Sequence, residues 1–109
     1  MTSADKTTLH KTCPVIRAVA VIGSKWKLLI MRELMLRESR FGELMRSLGG
    51  ISHKMLTQSL RELEADGIVL RNEISKRPLA VSYSLTEKGR SLKPVFDALR
   101  AWGEINCPM

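Results

Sequence analysis

Apolar residues recur at helical spacing through the first two-thirds of the chain. Val15, Val19 and Ile22 fall on one face of a segment opened by Cys13 and Pro14 and closed by Gly23. Proline suits the first helical position, where no backbone N–H is needed. From Lys25 to Leu36, Trp26, Leu29, Ile30 and Leu34 occupy one face and Leu28, Met31 and Met35 another. So little of that circumference is polar that the spacing predicts a central, mostly buried helix. Phe41, Leu44, Met45 and Leu48 then keep to i, i+3, i+4, i+7 in a short helix stopped by Gly49 and Gly50. After a turn through Ile51, Ser52 offers an N-cap hydroxyl. Leu56, Leu60 and Leu63 mark a further amphipathic helix that ends at Gly67.

Beyond Gly67 the period drops to two. Ile68, Leu70, Asn72 and Ile74 alternate with Val69, Arg71 and Glu73, and Val81, Tyr83 and Leu85 alternate with Ser82 and Ser84, the signature of strands with one buried face. The connector Ser75 to Leu79, with Pro78 as a turn residue, predicts an antiparallel hairpin whose tip carries Lys76 and Arg77. Thr86 caps a last helical stretch bearing Leu92, Val95, Phe96, Leu99 and Trp102, and Pro94 predicts a break in it near Ser91. The order helix, helix, short helix, turn, helix, hairpin, helix reads as a mainly α winged helix-turn-helix with a small antiparallel β-hairpin. It occupies residues 13–109, after a polar segment 1–12 expected to be flexible. The apolar stripes of the first and last helices, Val15, Val19 and Ile22 with Leu92, Val95, Phe96, Leu99 and Trp102, are expected to join two subunits, because a lone copy would leave the last stripe partly exposed.

Length and composition narrow the function. At 109 residues with 44% hydrophobic and 27% charged residues, the chain has material for one folded core. Its longest apolar run, Ala18 to Ile22, is far short of the ~20 residues of a membrane span. Met1 to Lys11 carries no apolar secretory stretch, so a cytoplasmic protein without membrane contact is expected. Lys and Arg number 18 against 11 Asp and Glu, a formal net charge of +7 that suits a polyanion, double-stranded DNA first and an anionic membrane surface second. Cys13 and Cys107 form no CxxC pair, and with His10 and His53 they give no zinc-site spacing. No metal or other cofactor is expected. Nor is an enzyme: GxxxxGK[ST], a strand-following GxGxxG and HExxH are all missing. A thiol oxidoreductase built on Cys13 would lack a nearby resolving cysteine. A winged helix used purely for protein contacts is the alternative to a DNA-binding regulator, and the net charge and basic hairpin tip argue against it.

In a helix-turn-helix the second helix enters the major groove, so its outer face must be polar and long-reaching. Opposite the leucine stripe stand His53, Lys54, Thr57, Gln58 and Arg61, after Ser52, while Glu62, Glu64 and Asp66 come in the second half. Gln58 can pair bidentately with adenine, Arg61 and Lys54 with guanine or phosphate, and Thr57 with a thymine methyl or a phosphate. Lys76 and Arg77 suit phosphates, and Lys25 and Arg40 stand near helix N-termini where phosphates also bind. A merely solvated face would show the same residue types, but few such faces are followed by a hairpin tip of Lys76 and Arg77, whereas Lys25 and Arg40 read equally as plain surface charges. Trp26 and Trp102 read as core and subunit-contact anchors, and Met31, Met35 and Met45 as gap-fillers.

The residues that carry a family resemblance are now in view: Cys13-Pro14, the Gly-Ser-Lys-Trp run of residues 23–26, Ile51-Ser52 with Lys54 to Gln58 and Leu60 to Leu63, and Tyr83-Ser84-Leu85-Thr86 with Gly89. From Cys13 to Trp102 the chain resembles the HxlR-type winged helix-turn-helix transcriptional regulators. The resemblance implies a small regulator, dimeric through its terminal helices, that binds a pseudo-palindromic operator with the helix after Ser52 and with the wing.

Cys13 is the one residue placed for chemistry. As the N-cap of the first helix its sulfur would lie near free backbone N–H groups, with Lys11 and Arg17 adding positive charge, all of which favour thiolate. Several relatives in the resembled family sense oxidants or electrophiles through a cysteine in this Cys-Pro context, so an oxidant or small-molecule effector acting at Cys13 is one reading. A small hydrophobe packed against the partner subunit is the other.

Overall fold

The computed structural model describes residues 13–109, so the segment 1–12, expected to be flexible, lies outside the described residues, as does Lys11. Helix α1 (Pro14–Ile22) is followed by α2 (Lys25–Leu36), a two-residue strand β1 (Ser39–Arg40), α3 (Phe41–Ser47), α4 (His53–Ala65), the hairpin strands β2 (Val69–Lys76) and β3 (Leu79–Leu85), a single turn α5 (Glu87–Arg90) and α6 (Lys93–Asn106). Helix starts are set by side chains that accept orphan N–H groups. Ser24 Oγ accepts from Lys27 N at 3.1 Å, Ser52 Oγ from Met55 N at 3.0 Å and Thr86 Oγ1 from Gly89 N at 3.0 Å. Pro94 sits in the first turn of α6, and the chain breaks between α5 and α6 at Ser91 and Leu92, as the proline predicts.

The core is built where α2 crosses α4 and the base of the hairpin. Ile30, Met31 and Leu34 from α2 meet Leu44, Leu48 and Ile51, then Leu56, Leu60 and Leu63 from α4, and Ile68, Val69 and Leu85 from the sheet end. Each fully buried large apolar side chain is worth roughly 1.5–3 kcal/mol of transfer free energy, so this cluster, rather than helix propensity, holds α3 and α4 in their relative orientation.

Among the described residues the sheet has three strands in the order β1-β3-β2, all antiparallel. β1 was not legible in the sequence, because two residues have no period. It forms because β3 offers a free edge beside Ser39 and Arg40, which pair with Tyr83 and Ser82. The hairpin also departs from the sequence reading. Its strands run on to Lys76 and from Leu79, so the expected connector shrinks to Arg77 and Pro78. The face turned to the helices is Val69 and Arg71 with Tyr83 and Leu85, whereas Leu70 and Ile74 of the other alternation are exposed. Only the base of the hairpin lies over the core. Further out, from Glu73 to Val81, the described residues are exposed or half-buried on both faces, so hydrophobicity there no longer reports burial.

Candidate nucleic-acid interface

The turn that presents α4 is fixed at three points. Gly50 adopts φ 97°, a left-handed conformation open to glycine. Ile51 is buried and its N–H donates to the Leu48 carbonyl at 3.2 Å. Ser52 then caps the helix, with its own side chain exposed. With Leu56, Ser59, Leu60 and Leu63 turned into the core, the 3.6-residue period leaves His53, Lys54, Gln58, Arg61 and Glu62 exposed and Thr57 half-buried. Those residues together line one shallow depression of about 390 Å³. The expected face is therefore brought together, with Glu62 as a member that the sequence reading had set apart as distal.

Glu62 is held rather than loose. Its Oε1 lies 2.8 Å from Nζ of Lys27, which comes from the first turn of α2, and its Oε2 accepts from Gln58 Nε2 at 3.0 Å. The hydrogen bond from Lys27, then that from Gln58, holds the Glu62 carboxyl below the usual range. At the helix start the His53 ring packs at 4.8 Å, tilted by 51°, on Phe41.

A second hollow, of about 230 Å³, separates α4 from the sheet and is lined by Phe41, Thr57, Leu60, Arg61, Glu64, Arg71 and Tyr83. Arg71 is a basic residue that the sequence reading did not single out. Its signal was present: it shares the alternation of Val69, the strand face that turns toward α4.

The remaining cations stand apart from the depression. Lys76 and Arg77 are exposed at the end of the hairpin. Lys25, at the first position of α2, places Nζ 5.0 Å over the Trp26 ring. Arg40 is exposed at the start of α3, where its backbone N–H donates to Glu43 Oε1 at 2.8 Å. That bond, above the pull of Arg37 and Arg46, keeps the Glu43 carboxyl below its ordinary range.

Cys13 is the N-cap of α1, half-buried, with an extended backbone and a side chain that makes no capping hydrogen bond; its carbonyl accepts from Arg17 N at 2.9 Å. Cys107, just past α6, is exposed, and neither cysteine is in a disulfide. The expected subunit stripe divides in two. Val15, Val19, Val95, Leu99 and Trp102 are exposed, Val15 at 68% and Trp102 at 62%. Ile22 is buried in the protomer's own core, and Leu92 and Phe96 pack against it, Leu92 beside Ile22 and Ile68 and Phe96 beside Leu28 and Leu29 of α2. Ile105, 77% exposed, extends the outer stripe beyond the residues expected. No residue of α6 is fully buried. Among the described residues no helix is long and apolar enough to cross a membrane.

A core of α2, α3 and α4, with the Ser52-capped α4 presenting its polar face outward and a β-hairpin beside it, defines a winged helix-turn-helix, and proteins of this class related to the chain are transcriptional regulators. Residues 21–109 match the HxlR-like helix-turn-helix family, and the chain belongs to it. The HTH-type transcriptional regulator YdzF of Bacillus subtilis (strain 168) is 45% identical over 94 residues, spanning 85% of this chain and 86% of that protein. The redox regulator HypR, solved in its oxidized form, superposes with a TM-score of 0.81 at 44% identity, over 89% of this chain and 100% of HypR. The reduced form of the regulator YodB from B. subtilis gives a TM-score of 0.78 at 39% identity, over 89% of this chain and 96% of YodB. The chain is thus a transcriptional regulator of the helix-turn-helix type, and not an enzyme.

Proposed function

We propose that two copies of this chain bind a pseudo-palindromic operator in the cytoplasm, α4 lying in the major groove and the hairpin on the flanking backbone. The observation that carries this reading is the outer face of α4. Lys54, Thr57, Gln58 and Arg61 converge there on one side, with no acid in the first turn and the carboxylate that shares their depression, Glu62, matched by Lys27. In this arrangement Gln58 and Arg61 read base edges, with Lys54 and Thr57 beside them. Ser52, His53, Lys25, Arg40, Lys76 and Arg77 supply backbone contacts that fix the register. Two-fold symmetry puts the two α4 helices in half-sites roughly 34–36 Å apart.

The dimer runs through the exposed stripe Val15, Val19, Val95, Leu99 and Trp102. What supports it is that α6 is amphipathic yet has no buried residue of its own, a state a helix in water does not hold unaided. Redox control through Cys13 is a further part of the proposal, supported by its half-buried place at the helix start and by the likeness to HypR, named a redox regulator. Oxidation there joins the Cys13 sulfur to that of Cys107 or Cys13 in the other copy, and the two thiol protons and two electrons pass to the oxidant, such as a diazene.

The test is equilibrium binding of labelled operator, selected from random duplexes, and of scrambled duplex over a range of salt. Gln58→Ala and Arg61→Ala are expected to weaken operator binding by about 1–3 kcal/mol each and to spare scrambled DNA. Lys76→Ala and Arg77→Ala are expected to weaken both and to flatten the salt slope. Equal loss on both duplexes for the α4 variants would overturn base reading by that helix, and absence of binding to any duplex would leave the protein-contact alternative.

A further inference from the structure

Gln58 is an ambiguous reader by chemistry. Its amide can offer a base the side-by-side pair of carbonyl oxygen and one N–H, which matches N6 and N7 of adenine. Turned over, it can offer both hydrogens of its amino end to the two acceptors O6 and N7 of guanine. The surroundings of Gln58 remove that ambiguity. An ionised carboxylate only accepts, so the contact with Glu62 Oε2 at 3.0 Å must come from the amino end of Gln58. One Nε2 hydrogen is then committed to Glu62, and what remains for the groove is the carbonyl oxygen and the other hydrogen. Glu62 is itself anchored from outside its helix. Its second oxygen lies 2.8 Å from Lys27 Nζ, and the Lys27 side chain is only 12% exposed, held between α2 and α4. Lys27 also offsets a negative charge that would otherwise face phosphates from the middle of the contact surface.

We propose that Glu62, anchored by Lys27, is a positioning residue that fixes the amide orientation of Gln58, so that this position of the operator is read as adenine and guanine is refused. The proposal rests on α4 reading bases, as argued above, and adds which base and why. Guanine would have to face the Gln58 carbonyl oxygen with an acceptor of its own, and no second hydrogen is free to replace that contact. Loss of Glu62 frees the amide to turn, which leaves adenine binding nearly intact and raises guanine binding. The sign of the change, improved binding to the wrong base, is one that general damage to the helix does not give.

The experiment starts from duplexes selected by the wild-type protein from a random library. Dissociation constants are measured for wild type, Glu62→Gln, Lys27→Met, Gln58→Ala and the Gln58→Ala/Glu62→Gln double variant, on the selected site and on its adenine-to-guanine substitutions. Glu62→Gln keeps the shape, and its melting curve controls for folding. At the adenine that Gln58→Ala ceases to distinguish, Glu62→Gln is expected to lower discrimination against guanine about tenfold. The double variant should be no less selective than Gln58→Ala alone, and Lys27→Met should move in the same direction. In the DNA-free protein, the Gln58 side-chain amide protons in a 1H–15N spectrum should shift on Glu62→Gln. Full retention of adenine over guanine in Glu62→Gln, or additive effects in the double variant, overturns the proposal while leaving base reading by α4 in place. If the library yields no preferred sequence, base reading itself falls and this inference falls with it.

Discussion

Gly89 lies so close to the carbonyl of Ile68 that a Cβ built on it would sit 2.4 Å from that oxygen and 3.1 Å from Leu85 Cδ2. The approach is drawn tight by Thr86. Its N–H donates to the same Ile68 carbonyl at 2.9 Å, and its hydroxyl donates to the Gly67 carbonyl at 2.6 Å. The single turn α5 is thus clamped against the end of α4 and the start of β2, and Lys88 adds a bond to the Asp66 carbonyl at 2.9 Å. Because the obstacle is backbone, Gly89→Ala is expected to lower stability by about 1–3 kcal/mol, read as a reduced urea midpoint at unchanged slope. A wild-type midpoint in that variant would refute the steric account.

Subunit association is the next quantity to move. Trp102→Arg places a charge in the middle of the exposed stripe of α1 and α6, where the wild-type side chain is 62% exposed in the single copy. The variant is expected to sediment as a monomer with an unchanged far-ultraviolet spectrum, and to bind operator far more weakly because two half-sites are no longer engaged together. A variant that remains dimeric places the interface elsewhere.

Arg71 is expected to act on the DNA backbone and not on bases. It lines the hollow between α4 and the sheet along with Arg61 and Tyr83, and stands directly opposite Tyr83 in the β2–β3 pairing. Arg71→Ala should weaken operator and scrambled duplex alike and reduce the salt slope by about one. A loss confined to the operator would make Arg71 a base reader instead.

Acid should undo the link between α2 and α4. The Glu62 carboxyl is held below its ordinary range by Lys27 and then Gln58, so the native state gains from the ionised form. The folded value is the depressed one. The contribution is therefore complete above the ordinary carboxylate range and is lost as pH falls through the folded value. Wild type should be more stable than Glu62→Gln at neutral pH, and the two melting curves should converge on acidification. A gap that is constant with pH would mean that the pair contributes nothing through its charge.

Thiol chemistry is checked by treating wild type and Cys13→Ser with diamide. Loss of operator affinity in the wild type alone is the expected result, reversed by dithiothreitol. Identical responses would leave Cys13 as a packing residue at the start of α1, where its sulfur makes no capping bond.

What the sequence determined by itself was everything that depends on local periodicity or on a single residue's chemistry. The leucine stripe of α4, the hydroxyl caps at Ser52 and Thr86, the proline break before α6 and the basic hairpin end all follow from neighbours within one turn or one strand. The outer face from His53 to Arg61 was legible for the same reason, since fixing which leucines are buried fixes which polar residues are not. The tertiary structure decided what depends on distance in the chain. β1 exists only because β3 leaves an edge beside it. Leu70 and Ile74 are exposed because they stand on the strand face turned away from the helices, a choice of face that alternation alone leaves open. Ile22, Leu92 and Phe96 were drawn into the protomer's own core, Phe96 beside Leu28 and Leu29 of α2 and Leu92 beside Ile22 and Ile68. The charge partner of Glu62 was decided there too, because Lys27, 35 positions earlier in the numbering, arrives from a different helix, and no spacing rule within α4 could register a partner supplied from outside it.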